Sequence, residues 1–224
     1  MRTIYASVEL VSQQEAEDLY RVIEVVGRTC YQSESVEGDT PEKFIQRTMN
    51  RGHLSVVEHG AITVKIICDR GVTHELVRHR LASMSQESSR YCNYSSDKFE
   101  NQVTYICLEP GMMLDSKTAV LPDLQQKLIL QEWEEACQDA ERHYMRMLEL
   151  GASPQIARSV LNTSTKSTII ITMNPRNWMH FINLRYWGTT GAPHPQMIEV
   201  SVKIHKLLSE KYPALFSKEG PTQA

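Results

Sequence analysis

The segment Leu124 to Leu150 constrains this chain most. Leu128, Trp133, Ala136, Ala140, Tyr144 and Leu148 recur along an otherwise polar run, the spacing of a long amphipathic helix. Gly151 supplies its stop, and Ser153-Pro154 opens a further helix with Ser153 as cap and Pro154 at the first position. Elsewhere the period changes. Ile4, Ala6, Val8 and Leu10 alternate with Thr3, Tyr5, Ser7 and Glu9, which predicts a first strand. Ala61 to Cys68 is apolar and β-branched, a buried strand, and Gln102–Leu108 and Lys166–Met173 read as two more. Between these lie helices. Ser12-Gln13-Gln14-Glu15 offers a capping box for a helix to about Cys30, with Ala16, Leu19, Val22, Ile23 and Val26 on its apolar face. Tyr31 to Asp39 is polar loop, Thr40-Pro41 starts a short helix, and Val72–His79 reads as another. Asn174-Pro175 opens a helix through Arg185, and Gln196–Leu208 closes the chain with Ile198, Val202 and Leu208 facing inward.

Composition bounds the function classes. The 224 residues suit one large domain or two small ones, and 41% hydrophobic content is enough for a core. A chain of this size buries roughly 70–75% of its unfolded surface. The net charge of −3 disfavours a broad nucleic-acid surface. No apolar run is long enough to span a membrane, and the N-terminal residues lack a signal peptide's apolar core, so a cytoplasmic protein is expected. Cys30, Cys68, Cys92, Cys107 and Cys137 are odd in number and form no Cys-x-x-Cys pair. Most read as small buried hydrophobes, and a disulfide framework or a thiolate zinc site is not expected.

Chemistry concentrates between Arg78 and Tyr91. Fourteen residues hold three arginines, a histidine, four serines and a glutamine. Guanidinium forks bind phosphate or carboxylate at any working pH, and serine hydroxyls with backbone N–H groups complete such a cradle. A loop that gathers donors for an anion is expected here, although a solvated polar loop has a similar composition.

The spacing is more specific than the composition. Arg78-His79-Arg80, seven residues, then Ser88 resembles the signature of the flavin-dependent thymidylate synthases, and Gln86-Glu87-Ser88-Ser89-Arg90-Tyr91 resembles its continuation. The resemblance spans residues 15 to 210, taking in Gly52-His53 through Glu58-His59 upstream, and Arg158 and Asn174 to Arg185 downstream. It implies an α/β fold, a twisted sheet flanked by helices, as a single domain over residues 1–224. It also implies methylation of dUMP to dTMP with FAD as cofactor, methylenetetrahydrofolate as carbon donor and NADPH as reductant, in a homotetramer with shared active sites. By the same resemblance His53, Ser55, Arg78, His79, Arg80, Gln86, Asn174, Arg176 and His180 face FAD. Arg78, Gln86, Glu87, Ser88, Ser89, Arg90, Arg158 and Arg185 face dUMP, and Arg185 also acts in catalysis. Two positions depart from the pattern: Glu75 stands where a glutamine is expected, and His180 where an asparagine is.

Other readings stay open on the residues alone. Arg78, Arg80 and Arg90 can form the phosphate patch of a nucleotide- or RNA-binding module. His53, His59, His74 and His79 can build a metal site, but the spacing is not His-Glu-x-x-His, and no metal is expected. No Gly-x-Gly-x-x-Gly is present, so a Rossmann site is not indicated. Ser88 reads as a phosphate ligand rather than a nucleophile. Cys92, two residues after Arg90, reads as a packing cysteine rather than a reactive thiolate.

Overall fold

The computed structural model describes residues 1–12, 14–35 and 37–217. In chain order the elements are β1 (Arg2–Ile4), β2 (Ser7–Leu10), α1 (Ala16–Tyr31), α2 (Pro41–Asn50), β3 (Ile62–Asp69), α3 (Arg70–Leu76), β4 (Ser83–Gln86) and β5 (Thr104–Ile106). There follow α4 (Glu109–Leu114), α5 (Asp123–Glu149), α6 (Pro154–Ala157), β6 (Lys166–Met173), α7 (Pro175–Arg185), α8 (Pro195–Lys211) and α9 (Pro213–Phe216). Short 3₁₀ turns cover Leu54–Glu58 and Arg158–Val160.

An antiparallel sheet in the order β2-β3-β6-β4 forms the centre. Its register sorts the residues by face. Val8 and Leu10 lie opposite Ile66 and Val64, and Met84 and Gln86 lie opposite Ile171 and Ile169. These are the inward positions, packed with α1, α2, α7, α8 and α9 into the main core. The other face is wetter: Glu9 meets Lys65 there at 3.0 Å. The mixed sheet-and-helix fold is thus the expected one, and β3 and β6 stand where the β-branched runs place them.

The expected first strand is two. Ile4 pairs with Ile106 in a separate parallel pair, β1 with β5, while Ser7 pairs with Ile67 in the main sheet. Alternation continues through both halves, so period alone cannot show that the partner changes between them. The capping box does not form. Ser12 Oγ instead accepts from the Thr63 backbone N at 2.6 Å, Glu15 Oε2 accepts from Lys211 Nζ at 2.6 Å, and α1 begins at Ala16. Gln13, within that expected box, lies outside the described residues. Elsewhere the caps are as read: Thr40 Oγ1 accepts from Lys43 N (3.4 Å) and Asn174 Oδ1 from Asn177 N (2.8 Å), each with proline next. Ser153 sits at the N-cap of α6 with no hydroxyl bond.

Three further expectations need correction. The Arg/Ser-rich stretch is not all loop, because β4 is an edge strand inside it whose outward Ser83 and Ser85 disguise the alternation. The helix α3 ends at Leu76 and stops short of His79. Finally, α8 turns inward on Met197, Val200, Ile204 and Leu208, leaving Val202 38% exposed and Ile198 half-buried. Its buried stripe also holds polar Ser201, whose Oγ donates to the Arg185 carbonyl at 2.8 Å, so apolar counting alone sets the wrong phase.

The long helix α5 ends at Glu149, and Gly151, at φ +92°, takes the left-handed turn beyond it. Cys137, Ala140 and Tyr144 bury its middle against Tyr94, Val103 and Tyr105 in a second cluster, whereas Leu124 and Leu128 remain exposed. The helix α7 is pinned to the sheet. Trp178 is fully buried and its indole N–H donates to the Ile62 carbonyl at 3.0 Å. Truncating such a side chain costs about 3–5 kcal/mol. That anchor turns Asn177, His180 and Leu184, spaced three and four apart, toward one hollow.

Candidate active site

His79 follows α3 and is buried edge-on against Phe181 of α7, with ring centroids 5.0 Å apart. Arg185, the last residue of α7, donates from Nε to His79 Nε2 at 3.2 Å and from Nη1 to Glu75 Oε2 at 2.8 Å. An Nε2 that accepts a hydrogen bond carries no proton, so His79 is the neutral Nδ1–H tautomer. Burial, then the charges of Arg185 and His180, pull its pKa down to about 4. Within the Arg-His-Arg triplet His79 therefore carries no charge at neutral pH. Arg78 and Arg80 flank it and are exposed.

These residues border a hollow of about 270 Å³, with Arg78, His79, Arg80, Asn177, His180 and Arg185 on its walls. A second hollow of about 510 Å³ shares Asn177 and His180 with the first and adds Asn174, Arg176 and Glu58, the last two forming an ion pair. A third, of about 680 Å³, shares Arg176 and Leu54 with the second and reaches His53, Ser55, Arg51 and Phe44. Phe44 lies between Arg28 and Arg47, whose guanidinium carbons are 4.9 and 5.8 Å from its ring centroid. Asp39 bridges both arginines, and hydrogen bonds from Arg47 and then Arg28 hold its pKa down to about 2. The shared wall residues make these three hollows neighbours in one cation-lined run.

The serine end of the signature lies elsewhere. Ser89 is buried and its Oγ accepts from Arg158 Nη1 at 3.2 Å. Both border a fourth hollow of about 450 Å³ with Arg70, Gln155 and Ser159. Ser88 closes a tight turn: its Oγ accepts from Arg90 N at 3.4 Å and its carbonyl from Tyr91 N and Cys92 N at 3.0 Å. Arg90 is exposed and lies over the Tyr91 ring. The Gln86 and Glu87 side chains are engaged in the framework. The Gln86 amide donates to Thr73 Oγ1 (3.0 Å) and Ser167 Oγ (3.1 Å). Glu87 accepts from Lys166 Nζ at 2.6 Å and from Tyr94 OH at 3.1 Å.

The expected residues therefore fall into two groups. Arg78, His79, Arg80, His180, Asn174, Arg176, Arg185, His53 and Ser55 line that run, whereas Ser89 and Arg158 line a hollow that shares no wall residue with it. Sequence reasoning named none of Arg70, Asn177 and Glu58 as site residues, and noted Glu75 only as a departure from the pattern. Only Asn177 carried a signal, standing three residues before His180 on the same helix face. Among the described residues no three histidine, cysteine or acidic side chains gather to hold a metal ion, so the four-histidine arrangement does not form. No described helix is long and apolar enough to cross a membrane. Burial and then the Glu87 charge push the Cys92 thiol upward, away from thiolate.

Comparison with known proteins places the chain in a family. Residues 9–214 match the family described as "Thymidylate synthase complementing protein". A flavin-dependent thymidylate synthase of Geobacter sulfurreducens is 29% identical over 216 residues, covering 93% of this chain and 85% of that protein. One of Corynebacterium diphtheriae is 31% identical over 233 residues, covering 96% and 84%. Among solved structures, the UMP/dUMP methylase PolB from Streptomyces cacaoi, bound with 5-Br dUMP, superposes with a TM-score of 0.77. It has 22% identity, and the match covers 97% of this chain and 96% of that one. With Arg78-His79-Arg80 between α3 and β4, Ser88 just after β4, and the match extending over nearly all of the chain, the protein belongs to the flavin-dependent thymidylate synthase family.

Proposed function

We propose that this chain is an FAD-dependent enzyme that methylates dUMP to dTMP, with methylenetetrahydrofolate as carbon donor and NADPH as reductant. The observation that carries this reading is Arg185, fixed by Glu75 and His79 at one end of a run of neighbouring cation-lined hollows. The donor set of that run suits FAD. Arg176, His53, Ser55 and Arg51 stand where a long anionic ligand needs donors, and Arg78 and Arg80 flank the end nearest Arg185. Bound FAD supplies the redox chemistry that carries reducing equivalents from NADPH to the transferred carbon.

The chain's own residues bind and polarise. Arg185 retains donor capacity beyond its two bonds and stabilises charge developing on the uracil carbonyls and N3. Neutral His79 orients that guanidinium by accepting from it, without adding a charge. Arg78 and Arg80 supply positive charge beside the flavin. Ser89 and Arg158, with Ser88 and Arg90 adjoining, take the nucleotide phosphate. Within one chain the phosphate donors and Arg185 line separate hollows, and a homotetramer with sites shared between copies brings complementary walls together. One domain over residues 1–224 and a cytoplasmic location complete the reading.

The test is direct. The purified protein should show a flavin absorbance spectrum, be tetrameric by light scattering, and form dTMP from dUMP only with methylenetetrahydrofolate and NADPH. A protein that cannot be loaded with FAD, or that is loaded and forms no dTMP, refutes the proposal. A stable, active monomer refutes its tetrameric part.

A further inference from the structure

Asn177 stands in the first turn of α7 and is half-buried, lining both the 270 Å³ and the 510 Å³ hollow. Its side-chain amide has one end occupied. Nδ2 donates to the Leu81 carbonyl at 3.0 Å, which ties the start of α7 to the turn that carries Arg78, His79 and Arg80. A carbonyl oxygen can only accept, so the amide nitrogen must lie on that side and Oδ1 on the other. Among the described residues Oδ1 has no hydrogen-bond partner.

The walls around it are short of acceptors. Arg78, Arg80 and Arg185 on one side and Arg176 on the other can only donate. The other side-chain acceptors are engaged: His79 Nε2 by Arg185, Asn174 Oδ1 by the Asn177 backbone N at 2.8 Å, and Glu58 by Arg176. The His180 ring serves in either role. Asn177 Oδ1 is thus a free acceptor in a wall of donors, at the border of two hollows. A ligand that offered only oxygens would have no use for it. A cyclic imide does, because it carries an N–H between its two carbonyls, and a site made of donors alone would leave that N–H unsatisfied.

Two participants in the proposed reaction contain a cyclic imide, the flavin and the uracil. Arg185 is the group that meets charge developing at the uracil N3, and an acceptor aimed at the same atom would oppose it. Arg176 and Arg80, on either side of Asn177, belong to the flavin in that reading. We propose that Asn177 Oδ1 accepts from the imide N–H of the FAD isoalloxazine while Nδ2 holds the Arg-His-Arg turn beside it. This rests on the reading of FAD as cofactor and adds to it a contact that the family resemblance does not assign.

The test compares FAD with 3-methyl-FAD, in which a methyl group replaces the imide hydrogen, each titrated into the full-length protein after its flavin has been removed. Wild type should bind FAD roughly 10- to 100-fold tighter than 3-methyl-FAD, the scale on which a site built around an N–H rejects an analogue without it. Asn177→Ala should bind FAD more weakly and lose most of that discrimination. A purely structural role would weaken both flavins and leave their ratio unchanged, so a wild-type ratio in Asn177→Ala overturns the proposal, as does a wild type that fails to discriminate. Titration of dUMP into the FAD-saturated proteins separates the two imides: equal dUMP affinity supports the flavin contact, and a loss confined to dUMP overturns it in favour of uracil. A wild-type protein that binds neither flavin refutes the FAD reading instead. Should Asn177→Ala fail to fold, Asn177→Ser, too short to reach both partners, decides by the same ratio: lost discrimination supports the contact and retained discrimination overturns it.

Discussion

Arg185 and Arg158 are the same side chain in opposite circumstances. Arg185 is held by Glu75, by His79 and, through its backbone carbonyl, by Ser201. Arg158 meets a serine hydroxyl and, among the described residues, no carboxylate, with Arg70 across the same hollow. A guanidinium whose charge is balanced inside the protein is already in place before substrate arrives. Its value lies in direction, and it acts on small changes of charge in the substrate ring. One whose charge is left unbalanced waits for a counter-ion and supplies affinity. On the proposed function, the two hollows divide the work of a nucleotide site between orientation and capture.

The strongest way to break this contrast is Arg185→Ala. It should lower kcat/KM for dUMP by about 3 kcal/mol of transition-state stabilisation, the scale of a lost oxyanion donor, while NADPH still reduces the bound flavin. Steady-state and stopped-flow assays would check both, and wild-type thymidylate formation would remove Arg185 from the chemistry. Next comes the neutral histidine beside it. His79 falls from 6.5 to about 4 on folding, so its contribution to stability is complete above pH 6.5 and is lost as the pH falls toward 4. At about 1.4 kcal/mol per pH unit, the loss amounts to about 3 kcal/mol over that window. Urea midpoints measured from pH 7 to pH 4 should drop less in His79→Gln than in wild type, and parallel curves would show that His79 is not the group responsible.

Glu75→Gln should act more gently. The pair with Arg185 is partly exposed, so removing its charge should cost about 1 kcal/mol, seen as a several-fold fall in kcat with little change in flavin content. An unchanged kcat would mean that His79 and Ser201 suffice to aim Arg185. The smallest effect is expected at Cys92. Its thiol is pushed upward by burial and by Glu87, so Cys92→Ser should keep FAD binding and form dTMP within about twofold of wild type, under 0.5 kcal/mol. Loss of methylation in a folded, flavin-loaded Cys92→Ser would show that the thiol is required.

What could be read from sequence depended on whether the information was local. The run Lys166–Met173 carries its own β-branched residues and its own capped successor, and β6 and α7 lie where those signals fall. The split between β1 and β2 is a choice of partner made more than fifty residues away, at Ile67 and Ile106, and no alternation records it. The site follows the same rule. Arg78, His79 and Arg80 stand out because they are contiguous. Glu75 stands out in the sequence only as a departure from an expected glutamine, and only the fold reveals that Arg185, 110 positions away, pairs with it. Arg70 looks ordinary in the sequence, and that its buried Nη1 has no partner among the described residues is visible only once every neighbour has been placed.

The brevity of α3 has a geometric consequence. With seven residues at 1.5 Å each it is roughly 10 Å long, and it carries Arg70 at its first position and Glu75 at its sixth. It therefore works as a ruler with a fixed angular phase. Inserting one residue would lengthen it by about 1.5 Å and swing Glu75 by about 100°, away from Arg185, while leaving the Arg70 end in place. Each hollow would survive, but their mutual spacing and bearing would not. Side chains at either end can be exchanged one at a time, whereas the number of residues between them belongs to the dimensions of the molecule that the site must span.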